Sequence, residues 1–548
     1  MTTKKQGSLS YLYENIGNKK IHIIILTLIQ MVLGVGSVLV ALIMKKTVDY
    51  AVSHDESMFF KYFLCMGGVV LLQITLRAVN RFLEEYVKAG IENVLKLKLF
   101  SSLLQKDYSQ VTAVHSAEWM NRLTSDTAIT SNYVVDILPN LAGMLIKLIF
   151  AMIAILYLQP KFAYILIPGG MVMILFTYGF RRISKRLHKN VQERDGDVRI
   201  FLQEHLGNLM MIHAFGVERR SEEQSFAKMN LHKKARMKKN HFSNICNIGF
   251  AVAINGIYIA GFGYCGYGIL HGTISYGTLI AITQLIGQIQ TPFANITGYI
   301  PKFYAMCASV ERLMETENYR DDYEKIQGDA DVEVMNDFEK IKLNQVSFAY
   351  SEEREQMVLE NCNLEFEKGK FIAFTGISGC GKSTIFKLLL SLYEPLSGNI
   401  EVCSQTGTYR ISPEFRRLFA YVPQGNKLMT GTIEEVITFG ATETSEEKII
   451  SSLYLACAEF VFDLPEGIHT MLGEQGAGLS EGQMQRIAIA RALYADRKII
   501  LLDESTSALD EDTEKRVLTN IRALKDKTVF IVTHRPAALK ICDNVVKL

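Results

Sequence analysis

Six long apolar stretches dominate the first part of this 548-residue chain, and they leave it little conformational choice. They run Ile21–Met44, Met58–Leu76, Tyr133–Leu158, Phe162–Phe180, Ile245–Leu270 and Tyr276–Pro301. Each meets or approaches the ~20 residues that an α-helix needs to cross a bilayer. Taken singly, one or two could be buried core helices; six in one half of a chain read as membrane spans. Lys4, Lys5, Lys19 and Lys20 precede the first stretch, which is longer than a signal peptide's apolar core and has no small-residue cleavage site. It reads as a first span with its N-terminus inside.

The chain is 49% hydrophobic with a formal net charge of +2, so the distribution of charge informs more than its total. Lys88–Arg122 and Arg181–His241 are crowded with Lys and Arg, whereas the short connections carry Lys45, Lys46 and Lys161 at most. The positive-inside rule places the two basic segments in the cytoplasm. Nucleic-acid binding is the other reading of such segments, and their position between spans argues against it. Arg77–Gln105 and Arg182–Leu206 continue as helices, with spaced Leu, Ile and Val on one face. About 25 residues at 1.5 Å each reach roughly 38 Å below the membrane. The nine cysteines include no C-x-x-C pair, so free thiols are expected, with no zinc site and no disulfide framework.

The remainder is charged and differently patterned. Gly376-Ile-Ser-Gly-Cys-Gly-Lys-Ser-Thr384 reads as the phosphate-binding loop G-x-x-x-x-G-K-[ST], between an apolar strand at Phe371–Phe374 and a helix from Ile385. Gly376, Ser378, Gly379, Cys380 and Gly381 form a turn whose backbone N–H groups can face phosphate oxygens. Lys382 can reach the β- and γ-phosphates, the Ser383 hydroxyl can hold Mg²⁺, and Ser383 and Thr384 open the helix whose N-terminus favours the negative charge. Lys498–Glu504 is an apolar strand ending in two carboxylates: Asp503 is placed to bind Mg²⁺ and Glu504 to polarise an attacking water. Between loop and acids lies Leu479-Ser-Glu-Gly-Gln483, in which Ser480 and Gln483 make a capping box opening a helix over Met484–Leu493.

In this order the motifs resemble those of ATP-binding-cassette (ABC) ATPases, whose signature peptide is usually written LSGGQ. The resemblance covers the whole chain, because an exporter-type half-transporter carries a six-span membrane domain ahead of one cassette. It implies an all-α membrane domain with long cytoplasmic extensions, followed by an α/β P-loop ATPase. The expected boundaries are 1–315 for the membrane domain, 316–337 for a charged linker and 338–548 for the cassette. Glu311–Asp337 as a whole reads as leading into the cassette.

The resemblance also implies roles. Tyr350 matches the aromatic that stacks on adenine, Gln424 the glutamine that touches metal and the membrane domain, Asp510 the D-loop, and His534 the switch histidine at the γ-phosphate. Ser480, Gly482 and Gln483 match the signature groups, which in this family face the ATP held by a second chain. Glu481 departs from the usual Gly, while Ser480 and the Gly482 N–H are kept. Family members usually continue past the switch histidine through a further strand and helix, for which little sequence remains. Short coupling helices are expected at His115–Leu123 and Gly207–Gly216; ordinary amphipathic turns are the alternative.

With both Glu504 and His534 present, a homodimer with two working ATP sites is expected, a heterodimer being the alternative. The implied function is ATP-driven export of a peptide or amphipathic cargo by a multi-pass protein of a bacterial plasma membrane. A lipid flippase, a nucleotide-gated channel and a soluble-type ABC ATPase are the alternatives. In the sixth span Gln284, Gln288, Thr291 and Asn295 share one helix face, either as a wet pathway wall or as interhelical hydrogen bonders. Lys147 sits mid-span in the third, where a charge is expensive. No central Asp or Glu pairs with it in sequence, so it reads as facing water or an anionic group, or else as a snorkelling lysine.

Overall fold

The computed structural model describes residues 7–322, 337–350, 357–377, 379–425, 428–473, 476 and 478–548, apart from the side chains of 163, 165–178, 181, 254, 290–297 and 300. The chain divides into two compact units: Met1–Leu99 with Met120–Met314, and Phe100–Trp119 with Glu315–Leu548.

The first unit is helical: α1 (Ser8–Asn15), α2 (Lys19–Val52), α3 (Glu56–Gln105), α4 (Tyr108–Ala113), α5 (Ser116–Asn121), α6 (Thr127–Leu158), α7 (Ala163–Gly207), α8 (Leu209–Phe215), α9 (Glu218–Leu270) and α10 (Tyr276–Glu315) follow in order, α4 and the first part of α5, to Trp119, belonging to the second unit. Among the described residues four helices are long and apolar enough to cross a membrane: Lys19–Val52, Glu56–Gln105, Ser116–Leu158 and Glu218–Leu270. A shorter apolar helix covers Tyr276–Ile289. The expected fourth span falls in α7, largely among side chains outside the described residues.

Helices α2 and α6 cross closely because two glycines meet. A Cβ on Gly34 would lie 2.8 Å from the Gly143 carbonyl, and one on Gly143 would lie 2.9 Å from that of Gln30. Small residues allow such backbone approach where lipid supplies no hydrophobic drive. Further along these helices Ile23, Leu26, Ile91, Leu95, Val135 and Val310 close one core. Beside it a π-helical turn, Arg122–Asp126, brings the buried Asp126 to Arg312 (2.8 Å to Nε, 2.5 Å to Nη2) and to Ser309 Oγ at 2.9 Å. That pairing keeps Glu311–Glu315 helical, with Leu313 buried, where the sequence had suggested the start of a linker.

The second unit contains two main sheets. Strands β1 (Phe338–Phe348), β2 (Leu359–Glu367), β3 (Phe371–Thr375), β4 (Ser397–Ser404), β5 (Gly407–Arg410), β6 (Phe419–Val422), β7 (Gly431–Thr432), β8 (Met471–Leu472), β9 (Ile499–Asp503), β10 (Thr528–Val532) and β11 (Asn544–Lys547) occur in chain order. An antiparallel sheet runs β2-β1-β4-β5 and a parallel one β11-β3-β10-β9-β6. The central parallel strands β9 and β10 are buried throughout, as expected for strands covered on both faces. The chain passes from β10 through a short helix, Pro536–Ile541, into β11, so a helix and a strand do follow His534.

Segment 100–119 belongs to this second unit. Asp107 breaks from α3 and caps α4, accepting from the Ser109 N–H at 2.7 Å. The Asp107 N–H donates to the Arg320 carbonyl (2.9 Å), Lys106 pairs with Asp321 (2.8 Å), and Tyr108 meets Tyr393 edge-on with ring centres 5.9 Å apart. The expectation of His115–Leu123 as the contacting helix is thereby corrected to Tyr108–Ala113. Trp119 instead braces α4 from behind, its Nε1 donating to the Val111 carbonyl at 2.9 Å. The only tryptophan drew attention away from the Asp-x-Ser cap that restarts the helix.

Candidate nucleotide site

Ligands of open parallel sheets lie beyond the carboxyl ends of the strands, and that is where the motif residues gather. After β3 the chain turns through Gly376, Gly379 and Gly381 at φ +146°, +87° and +101°, conformations that L side chains rarely adopt. Ser378 lies outside the described residues. Lys382, buried, opens the Lys382–Leu389 helix and donates from Nζ to the carbonyls of Gly376 (2.7 Å) and Ile377 (3.0 Å). Its ammonium therefore spans the loop's concave side, with the Cys380 Sγ 3.9 Å away. Thr384 Oγ1 lies 3.0 Å from the hydroxyl of Tyr350, whose half-exposed ring stands edge-on to Phe348 and Tyr393.

Asp503 closes β9. It is 1% exposed, and accepts from Ser383 Oγ at 2.8 Å and from the Tyr421 hydroxyl at 3.2 Å. Burial pushes its carboxyl above the ordinary Asp value, the two hydroxyls hold it down, and the charge of Glu504 pushes it up again. Tyr421 is pushed well above the usual phenol range, by burial first and then by Asp503. Among the described residues Asp503 is in no ion pair; the two hydroxyls and the charge of Lys387 favour its carboxylate. The Ser383 hydroxyl, the Asp503 carboxylate and the Gln424 amide oxygen are hard oxygen donors, a set that fits Mg²⁺.

Glu504 follows at φ +48°, a strained setting for a residue with a side chain, held by its N–H bond to the Val532 carbonyl at 3.2 Å. Its Oε2 accepts from Gln424 Nε2 at 2.7 Å. His534 is exposed just beyond β10. Strand ends thus bring Lys382, Ser383, Gln424, Asp503, Glu504 and His534 to one edge of one sheet.

The signature peptide forms the expected capping box: Ser480 Oγ accepts from the Gln483 N–H (3.3 Å) and Gln483 Oε1 from the Ser480 N–H (2.9 Å), opening the helix Glu481–Tyr494. A Cβ on Gly482 would lie 3.0 Å from the Ala508 carbonyl, so this position tolerates no side chain without movement. Asp510 caps the Glu511–Ala523 helix, its carboxylate taking the Thr513 N–H at 2.9 Å.

Residues 23–293 match the ABC transporter transmembrane region family, and residues 359–507 match the ABC transporter family that carries the ATPase. The chain is an ABC transporter. Among its relatives is the leukotoxin translocation ATP-binding protein of Mannheimia glucosida, 28% identical over 486 residues, which are 88% of this chain and 68% of the relative. The same-named protein of Bibersteinia trehalosi is likewise 28% identical over 486 residues. In fold, the transporter is similar to a bacterial Atm1-family ABC exporter solved with ATP bound, at a TM-score of 0.79 and 22% identity, covering 96% of this chain and 93% of that one. The architecture is that of an exporter-type half-transporter, a class that works as dimers. The transporter is a multi-pass membrane protein that binds ATP and couples its hydrolysis to transport.

Several residues that tie the transporter's candidate nucleotide site together escaped the sequence reading. Tyr421 lies inside the quoted Tyr421-Val-Pro-Gln424, but only Gln424 was singled out. Gln485 ties the signature helix to the D-loop, donating to Ser507 Oγ (3.2 Å) and accepting from the Ala508 N–H (3.0 Å). Arg535, next to His534, donates to the Ser507 and Leu509 carbonyls at 2.7 and 2.6 Å and pairs with the buried Glu514.

In the transporter's membrane part, Gln288 exchanges hydrogen bonds with Ser37 of α2: its Nε2 donates to the Ser37 carbonyl (2.7 Å), and Ser37 Oγ donates to its Oε1 (3.3 Å). Gln284 Oε1 is buried and has no hydrogen-bond partner among the described residues. The side chains of Thr291 and Asn295 lie outside the described residues. Lys147 is half-buried, with its Cβ 3.4 Å from where a Gly34 Cβ would stand. Nearer the start of α6 Asp136 does have a cation, Lys302, at 2.5 Å.

Proposed function

We propose that the transporter is a homodimeric exporter of a bacterial plasma membrane, moving a peptide or amphipathic cargo out of the cytoplasm, with its N-terminus and cassette inside. The connected set Ser383–Asp503 and Gln424–Glu504 carries this reading, because it puts metal-type ligands and a candidate base in adjacent hydrogen-bonded pairs. The basic segments between spans support the orientation, and the leukotoxin translocation relatives support a peptide-like cargo. Residues 316–337 act as a linker between a membrane domain, 1–315, and the cassette, 338–548.

Lys382 exchanges its bonds to the Gly376 and Ile377 carbonyls for phosphate oxygens, while the N–H groups of the loop, including Gly379, Cys380 and Gly381, receive the rest. Tyr350 supplies a ring face for adenine. Ser383, Gln424 and Asp503 hold Mg²⁺, which screens the charge on the transferring phosphoryl group. Glu504 orients water and takes its proton, and His534 steadies the γ-phosphate. Ser480, Gly482 and Gln483 present their groups to the ATP of the other chain, and Asp510 fixes the D-loop between them. The exposed side chains of α8, Met210 and Phe215 among them, offer that chain's cassette an apolar contact. Lys147, Gln284, Gln288, Thr291 and Asn295 line the pathway. The test is ATP-driven accumulation in sealed inverted vesicles: a gated channel equilibrates cargo, and only a pump concentrates it.

A further inference from the structure

The ring assigned to adenine is in contact, through one other ring, with α4. Tyr350 meets Tyr393 edge-on with ring centres 5.3 Å apart, and Tyr393 meets Tyr108 of α4 edge-on at 5.9 Å. Both separations lie in the ~4.5–7 Å range of attractive aromatic pairs. Lys387, on the Lys382–Leu389 helix, holds the first pair together. Its Nζ donates to the Tyr350 hydroxyl at 3.3 Å, and stands 5.2 Å from the centre of that ring and 5.9 Å from that of Tyr393. Both distances suit a cation over an aromatic ring. The turn that carries Tyr393 is also fixed to the segment that seats α4. Arg416 donates to the Leu390 and Ser391 carbonyls at 2.8 and 2.9 Å and pairs with Asp322. Arg320 pairs with Glu394 at 3.3 Å, and its N–H donates to Gln110 Oε1 of α4 at 2.9 Å.

We infer that Lys387 and Tyr393 are positioning residues for the nucleotide base: they tie the Tyr350 ring to Tyr108, so that base stacking and the seating of α4 stabilise one another. This rests on the reading of Tyr350 as the adenine aromatic, and adds to it a dependence of α4 on the base. An edge-on pair has a preferred angle. A base that fixes the plane of Tyr350 therefore fixes Tyr393 and, through it, Tyr108. Such coupling is reciprocal: losing the α4 ring weakens the hold on the base, and losing the base loosens α4. Phosphates held by the loop at Lys382 engage none of these rings.

The experiment uses the full-length transporter in nanodiscs, without Mg²⁺, and measures binding of radiolabelled ATP and of inorganic tripolyphosphate. Trp119, the chain's single tryptophan, senses α4 because its Nε1 donates to the Val111 carbonyl at 2.9 Å. In the wild type, saturating ATP should shift its emission and saturating tripolyphosphate should not. Tyr108→Leu and Tyr393→Leu should each weaken ATP about two- to tenfold, the range of one edge-on pair, and abolish the shift. Lys387→Met should weaken ATP likewise, and Tyr393→Phe, which keeps the ring, should behave as the wild type. All should bind tripolyphosphate normally, which shows an intact phosphate loop. Equal emission shifts with ATP and tripolyphosphate, or wild-type ATP affinity in both leucine variants, would overturn the proposal. Tyr350→Leu separates it from the reading beneath it. Weakened ATP there, with wild-type behaviour in both other leucine variants, keeps the stacking role and overturns the tie to α4. Wild-type ATP affinity in Tyr350→Leu removes the stacking role and the proposal with it.

Discussion

Gln424 donates to Glu504 across 2.7 Å, so the amide assigned to the metal also orients the carboxylate assigned to water. Glu504→Gln keeps shape but cannot accept a proton. Turnover should fall on the order of 10²-fold or more, with ATP binding retained and the cassettes held closed. Near-normal turnover in purified protein would remove Glu504 from its role.

Asp503 should set the acid side of the activity profile. Its pKa is raised, so the folded chain holds that proton more tightly than the unfolded one. Its contribution to stability is full below the ordinary Asp value and is lost as pH rises through the raised one. Metal binding runs the other way, since only the carboxylate binds. Tyr421→Phe removes one of the two hydroxyls that lower this pKa. The acid limb of Mg²⁺-dependent hydrolysis should then move to higher pH, and a superimposable profile would show that the Tyr421 bond has no influence there.

Cys380 lies beside Lys382 in the phosphate loop. A maleimide there should abolish hydrolysis, ATP should protect, and Cys380→Ser should be active and resistant. Should that variant lose activity just as fast, another of the nine cysteines is the target.

Arg535 is the cation of Glu514, which is fully buried and, among the described residues, keeps only Thr506 Oγ1 at 2.7 Å without it. Arg535→Ala should destabilise the cassette by about 1–3 kcal/mol, less than for a fully buried pair because Arg535 is partly exposed. Adding Glu514→Gln should recover part of the loss by removing the orphaned charge. Chemical denaturation of the four cycle members measures it; strictly additive effects would refute the coupling.

What was legible in sequence is what is local. The glycine loop, the acids ending β9 and the Ser480–Gln483 box each occupy a few consecutive residues, and their chemistry needs no distant partner to be recognised. Tyr421 against Asp503, Gln485 against Ser507 and Arg535 against Glu514 are juxtapositions made by the sheet and its flanking helices. Nothing in the spacing of those residues encodes them. The misplaced contacting helix has the same origin: Asp107 and Ser109 signal a helix start, but only the fold shows that Tyr108 finds Tyr393.

That contact bears on how the chain is made. Residues 100–119 leave the ribosome long before Glu315–Leu548, yet they complete their packing only against the later piece. Until then Lys106, Tyr108 and Trp119 wait without Asp321, Tyr393 and Tyr319. Closing so long a loop is entropically slow to begin and cheap to extend. The order of synthesis is therefore not the order of packing: an early segment of the chain finds its partners only in a piece made some two hundred residues later.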